Sequence, residues 1–173
     1  VDEDIPAKLY QITKDKDYLR QCVPYLEKYL TYDLNNRDKN KNHLLEWYTE
    51  PDYEECKCGE SGLDNSPRFD FDEKMDCIDF SCYLALDSKY LSLIYKALGN
   101  EKKSKQWLDV HKHVSNQINA LMWDKDDHVY YDRLMSNKLT KVLTPSSFFP
   151  MWVGIVSKER AKEIILIAPY YGY

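Results

Sequence analysis

Residues Asp76 to Met122 read DCIDFSCYLALDSKYLSLIYKALGNEKKSKQWLDVHKHVSNQINALM. The first half is apolar on most sides: Ile78, Cys82, Ala85, Leu86 and Leu93 form one stripe, and Phe80, Tyr83, Leu84, Leu91, Ile94, Tyr95 and Leu98 fill much of the rest. A helix of this kind is buried on more than one side. Gly99 then supplies a C-terminal stop and Asn100 an N-cap. The second half, Glu101 to Met122, has a single stripe of Trp107, Val110, His111, Val114, Ile118, Leu121 and Met122. Lys102, Lys105, Asp109, Lys112, Asn116 and Asn119 stand opposite, so this helix has one wet face. An inner helix joined by a tight turn to an outer one is the repeating unit of stacked helical arrays. The pattern fits a closed barrel and an open solenoid equally.

On the N-terminal side, Leu19, Cys22, Val23, Leu26 and Leu30 fall at helical spacing and predict a helix over Asp17–Leu34, which Pro24 should kink or begin. On the C-terminal side, Trp123 to Leu143 reads as a short hairpin. Val129-Tyr130-Tyr131 and Leu139-Thr140-Lys141-Val142 flank a turn at Ser136-Asn137. Ser147 to Val156 reads as a second inner helix. Ser157 caps an outer one with a stripe of Ala161, Ile164, Ile165 and Ala168.

The chain has 173 residues, a net charge of -5, 43% hydrophobic and 31% charged residues. It is globular in composition, and its acidic balance argues against a nucleic-acid partner. No apolar run approaches the roughly 20 residues of a membrane span, and no basic-then-apolar secretory signal opens the sequence. A cytoplasmic protein with free thiols is the expectation. Its 5 cysteines are odd in number and irregularly spaced, which does not suggest a disulfide framework. Cys56-Lys57-Cys58 has no second pair at ligand spacing, His111 and His113 face different ways, and no run of alternating oxygen ligands is present, so no metal or other cofactor is expected. Aromatic residues reach 14%, with 15 Tyr. Rings can floor a sugar site, although packing in a helical core accounts for most of them.

Residues 35–75 lack a sustained period and hold Pro51, Gly59, Gly62 and Pro67. Long loops of this kind are usually functional. Within it, Gly59-Glu60-Ser61-Gly62-Leu63-Asp64-Asn65-Ser66-Pro67-Arg68-Phe69-Asp70 gathers carboxylates, an amide and an arginine. The glycines allow close backbone approach, Asp64-Asn65 suits a tight turn and Pro67 stiffens the exit. Taken alone, the segment fits an Asx-type turn with Arg68 paired to a carboxylate as well as it fits a binding loop.

Glu60 to Asp70 resembles the signature loop of glycoside hydrolase family 63 and its bacterial relatives, which include α-glucosidases and mannosylglycerate hydrolases. It is also similar to the trehalase signature, from which Asn65 and Pro67 depart. Asn36-Arg37-Asp38 and Leu44-Leu45-Glu46-Trp47 before the loop fit the same group. So do Trp123-Asp124, Tyr130-Tyr131-Asp132 and Ser147-Phe148-Phe149-Pro150 after it. The resemblance implies an all-α fold, part of an (α/α)6 toroid of alternating inner and outer helices with a short β-hairpin. It implies an inverting α-glycoside hydrolase acting on an oligosaccharide or small glycoside, with Asp64 as general acid. Glu60, Asn65 and Arg68 would line the nearest sugar subsite and Trp47 would be its stacking surface. Asp79 is a further candidate that helix capping explains equally well.

Inversion also needs a general base, roughly 6.5–9.5 Å from the acid. In this family the base is a Glu in the last helices, and nothing after Pro150 resembles that region. Residues 1–173 are therefore expected to form a single incomplete catalytic domain, with about five of the roughly twelve helices of a closed ring and an active-site loop over 35–75. Turnover by the isolated chain is not expected, and self-association through exposed helices is. The alternatives are a sugar-binding module without chemistry, a helical interaction module, or a trehalase-like enzyme.

Overall fold

The computed structural model describes residues 4–47, 58–63 and 65–167, with side chains described from Pro6 onward. Helix α1 (Asp4–Thr13) leads into α2 (Lys16–Asn36). The Asp15 carboxylate caps α2 by accepting from Asp17 N at 2.9 Å and Tyr18 N at 3.0 Å. Leu19, Val23, Leu26, Leu30 and Asp33 are buried along one face. Pro24 neither begins nor interrupts α2. It is exposed, so the carbonyl it leaves without an amide partner lies on the solvent side, where water can take it.

The inner and outer pair is as expected: α3 is Ile78–Ala97 and α4 is Glu101–Leu121. Gly99 turns between them at φ +80°, a conformation that side chains with a Cβ resist. Asn100 caps α4 by accepting from Lys103 N at 3.1 Å. Helix α3 buries residues on several sides, whereas α4 buries only Ser104, Trp107, Val114 and Ile118. Glu27 of α2 ties the layers together, accepting from Tyr95 Oη at 2.6 Å, Lys103 Nζ at 2.6 Å and Trp107 Nε1 at 3.0 Å.

The strand pairing differs from expectation. Strand β2 (Trp123–Asp124) pairs antiparallel with β3 (Val129–Tyr130), and β4 (Arg133–Leu134) pairs with β1 (Met75–Asp76) just before α3. The turn at Ser136-Asn137 is present, but it leads only to an isolated bridge between Arg133 and Leu139. Asp76 explains the choice: Arg133 reaches it at 2.9 Å, while Asn40 and Asn42 donate to it at 2.8 and 2.7 Å. That buried carboxylate gathers the segment after α2 and the one after β3 around the start of α3.

The second inner helix is also shorter than expected. A 3-10 turn at Pro145–Phe148 is followed by α5 (Phe149–Trp152), a single turn, because Pro150 sits at its start and Gly154 adopts φ +75° soon after its end. Ser157 Oγ accepts from Arg160 N at 3.2 Å and opens α6 (Lys158–Ile167). Of the expected α6 stripe, Ile164 is buried and Ile165 is 59% exposed, and Ala168 lies outside the described residues. Among the described residues no helix is long and apolar enough to cross a membrane.

Candidate active site

The loop from Cys58 to Asp70 is held by its own turns. A 3-10 turn at Gly59–Ser61 is bracketed by left-handed residues, Cys58 at φ 55° and Gly62 at φ 69°. Ser61 Oγ donates to the Cys58 carbonyl at 2.8 Å and accepts from Leu63 N at 3.1 Å. Ser66 N bonds the Leu63 carbonyl at 3.1 Å, bridging across position 64. Asp64 itself lies outside the described residues. Its neighbour Asn65 is exposed, with φ 57°.

Arg68 anchors this loop. It was expected on a subsite wall, but its side chain is 0% exposed. It meets carboxylates and a serine instead of a cleft. Nη2 donates to Asp79 Oδ1 at 3.0 Å and to Asp132 Oδ1 at 2.8 Å, and Nη1 donates to Ser146 Oγ at 2.7 Å and to Asp79 Oδ2. Nε stands 2.8 Å from Asp132 Oδ2. Phe69 lies beneath the guanidinium, 4.9 Å from ring centre to Cζ. A buried charge is tolerable only when paired and hydrogen-bonded; here both Nη atoms are hydrogen-bonded, while Nε is ion-paired without a hydrogen bond.

Asp79 is the hub of the cluster. It is not the cap of α3, whose N-cap Cys77 makes no side-chain cap bond; from inside the first turn it accepts Phe80 N at 2.8 Å, and also Trp47 Nε1 at 2.9 Å and Ser146 Oγ at 2.9 Å. Trp47 and Arg68, two of the expected site residues, therefore hang on one carboxylate. Burial pushes the Asp79 carboxyl up, but the hydrogen bonds and charge of Arg68, with Trp47 and Ser146, hold it below its ordinary value. Burial pushes Asp132 up to about 6 against the opposing Arg68 charge. Asp132 also accepts Ile78 N at 2.9 Å, satisfying an otherwise orphaned donor at the start of α3.

Trp47 is half-buried and stacks on Phe80, with centroids 3.9 Å apart and planes at 10°. It lines a cavity of about 220 Å³ together with Asp33, Phe80, Tyr83, Asp87 and Trp152. Glu60 is exposed and ion-paired with Arg37, just past the end of α2. The structure thus joins Trp47 to Arg68 through Asp79, and Glu60 to α2 through Arg37.

Asp132 and Ser146 were not singled out from the sequence. Each lies in or beside a quoted run, Tyr130-Tyr131-Asp132 and Ser147-Phe148-Phe149-Pro150, and that adjacency was the available signal. Asp33 carried no signal beyond its position on the apolar face of α2. The His43 ring meets that of His113 at 4.2 Å, and His128 Nδ1 lies 3.2 Å from Glu163 Oε2. Among the described residues no group of three His, Cys, Asp or Glu could hold a metal ion; Cys56 lies outside them.

The trehalase family model matches residues 52–168, which include the whole signature loop, the Arg68 cluster and α3 to α6. The chain belongs to the trehalase family. A Bombyx mori trehalase is 23% identical over 197 residues, covering 86% of this chain and 34% of its own. An uncharacterized protein of Borreliella burgdorferi is 25% identical over 157 residues, covering 91% of this chain and 30% of its own. The chain therefore spans about a third of the length of these curated relatives. Among solved structures, the family 63 mannosylglycerate hydrolase of Thermus thermophilus, in complex with glucose, superposes with a TM-score of 0.81 at 18% identity. That superposition covers 98% of this chain and 50% of the other. The fold of this trehalase-family chain is that of part of an (α/α)6 barrel.

Proposed function

We propose that this chain supplies the acid side of an inverting α-glycoside hydrolase site, with Asp64 protonating the departing glycosidic oxygen. The observation that carries the reading is the signature loop: Arg68 is locked to Asp79 and Asp132, and the loop it anchors carries position 64. Catalysis by a proton donor demands such fixed placement more than it demands many contacts. In the same reading Trp47 is a stacking surface, held by its indole N–H on the hub carboxylate Asp79. Glu60 and Asn65 line the sugar subsite, and Arg68 serves by positioning the loop.

A terminal α-linked glucose or mannose is the substrate class, trehalose and mannosylglycerate included. The ligands of the Thermus enzyme, glucose among them, support a small sugar. In this proposal residues 1–173 are one portion of a catalytic domain with the site loop at 35–75, and the general base comes from elsewhere in the ring. The protein is read as cytoplasmic. Sugar release from α-glucosides, trehalose and mannosylglycerate tests the reading, with Asp64→Asn as control. The complete catalytic domain should hydrolyse at least one of these and lose about 10³-fold or more of its rate on that substitution. The 173-residue chain alone should not turn over. Hydrolysis insensitive to Asp64→Asn would refute the assignment.

A further inference from the structure

Among the described residues, the large apolar side chains left in solvent gather on the first and last helical hairpins. Of the central pair, α3 exposes Leu93 and α4 exposes Leu108; the others stand on α1, α2, α5 and α6. Ile12 of α1 is 81% exposed, Tyr25 of α2 is 77% and Leu166 of α6 is 71%. Both end hairpins pack on the central one: Glu27 ties α2 to Tyr95 and Trp107, and Arg160 of α6 reaches Asn119 Oδ1 of α4 at 2.9 Å. In an arc of three hairpins the middle one has a neighbour on either side, and each end has one.

Helix α2 carries the residues for two neighbours. Leu19, Val23, Leu26 and Leu30 are its buried stripe. Beside them Tyr18, Cys22, Tyr25, Tyr29 and Tyr32 recur at alternating intervals of four and three residues, the spacing of a seam that packs against another helix. This seam borders a cavity of about 330 Å³ whose described lining, apart from Pro6 of α1, belongs to α2 itself. None of those lining residues is charged, so the face suits an apolar helix and not a charged segment.

Its occupant has to serve the α6 end as well. The six helices α1 to α6 are half of the roughly twelve in a closed ring, and the chain covers 50% of the Thermus hydrolase on which it superposes. The ends of a half-ring stand on opposite sides of the ring axis. A second half-ring, turned by half a revolution about that axis, presents α6 to α2 and α2 to α6. Contacts between unlike surfaces give a finite ring when the rotation closes and a filament when it does not. We propose that a second copy of this chain covers both ends, α2 of each copy packing on α6 of the other, so that two copies complete the ring with both signature loops at the same end. The proposal rests on the fold and is independent of the role of Asp64.

Sedimentation velocity on the 173-residue chain and on two variants, one for each end, tests this. The wild type should form a dimer at micromolar concentration and nothing larger. Tyr25→Glu and Leu166→Glu should each raise the dissociation constant roughly 100-fold, because each places a charge in both contacts of a symmetric pair. Both positions are exposed in the single chain, so circular dichroism should show both variants folded. An equimolar mixture of the two variants should dimerise again, since the mixed pair keeps one unaltered contact. A wild type that stays monomeric, or that assembles beyond the dimer, overturns the proposal. So does a mixture that remains monomeric. Loss of the dimer in Tyr25→Glu but not in Leu166→Glu would assign association to α2 against α2 and overturn it equally.

Discussion

Arg68 Nη2 donates to Asp132 Oδ1 at 2.8 Å, across 64 residues of sequence. With Asp79 on its other side, the guanidinium joins the signature loop, the start of α3 and the segment after β3 at a single buried point. Without the arginine, two carboxylates would face each other with no cation between them.

Arg68→Ala should therefore destabilise the protein by about 3–5 kcal/mol, the usual cost of stripping one partner from a buried ion cluster. Arg68→Lys should recover little of this, since one ammonium cannot reproduce a fork that reaches two acids and a serine. Urea denaturation monitored by tryptophan fluorescence measures both. A loss below about 1 kcal/mol for the alanine variant would mean that the cluster is not what holds the loop.

The helical pair at the centre was legible because burial on several sides and burial on one side leave different residue patterns, and Asp76–Met122 shows both in succession. The single turn of α5 was not legible. Apolar residues from Ser147 to Val156 carry the same signal whether they pack as a helix or as a 3-10 turn, and Pro150 with the left-handed Gly154 decides the matter. The strand pairing was hidden for a related reason: Asp76 recruits Arg133 from far along the chain, and no local pattern records that. In the site, Arg68 was legible as a participant but not as an anchor, because its acids come from positions 79 and 132. The alternative reading of Arg68, pairing with a carboxylate, describes what its side chain does.

Glu27 should matter as much to the fold as an apolar core residue. Glu27→Ala leaves the Trp107 indole N–H, on a side chain only 2% exposed, without its acceptor, along with the Tyr95 hydroxyl. The expected loss is about 2–3 kcal/mol. Burial raises the Glu27 carboxyl, but its bonds to Lys103, Tyr95 and Trp107 outweigh that and lower it. Its contribution is thus complete above the ordinary carboxylate range and disappears as pH falls through the lowered value. The gap between wild type and Glu27→Ala should narrow on acidification, which denaturation at a series of pH values reads directly.

The exposed rings of α2 and the apolar end of α6 lead to a prediction about association. Tyr25 is 77% and Tyr32 55% exposed, and Tyr25 borders a cavity of about 330 Å³ with Tyr18, Cys22 and Tyr29. Ile165 and Leu166 are 59% and 71% exposed. Exposed apolar groups on these two helices are candidates for an interface. The 173-residue chain expressed alone should form dimers or larger species at micromolar concentration in sedimentation velocity. Tyr25→Glu with Leu166→Lys should return it to monomer; a wild-type chain that is monomeric throughout would reject the expectation.

Asp33 should act on stability in the opposite sense from Glu27. Its folded carboxyl titrates at about 6, above the ordinary value of 3.8. The native state therefore holds a proton that the unfolded chain has already released, and stability falls as pH rises from about 4 to 6. Above that window the ionised, desolvated carboxylate costs on the order of 2 kcal/mol. Asp33→Asn removes the charge, so the variant should be more stable than wild type at pH 7.5 and nearly equal to it at pH 4. Thermal melts at the two pH values decide it. If the substitution lowers stability at pH 7.5, charge pairing of the Asp33 carboxylate outweighs the cost of its burial.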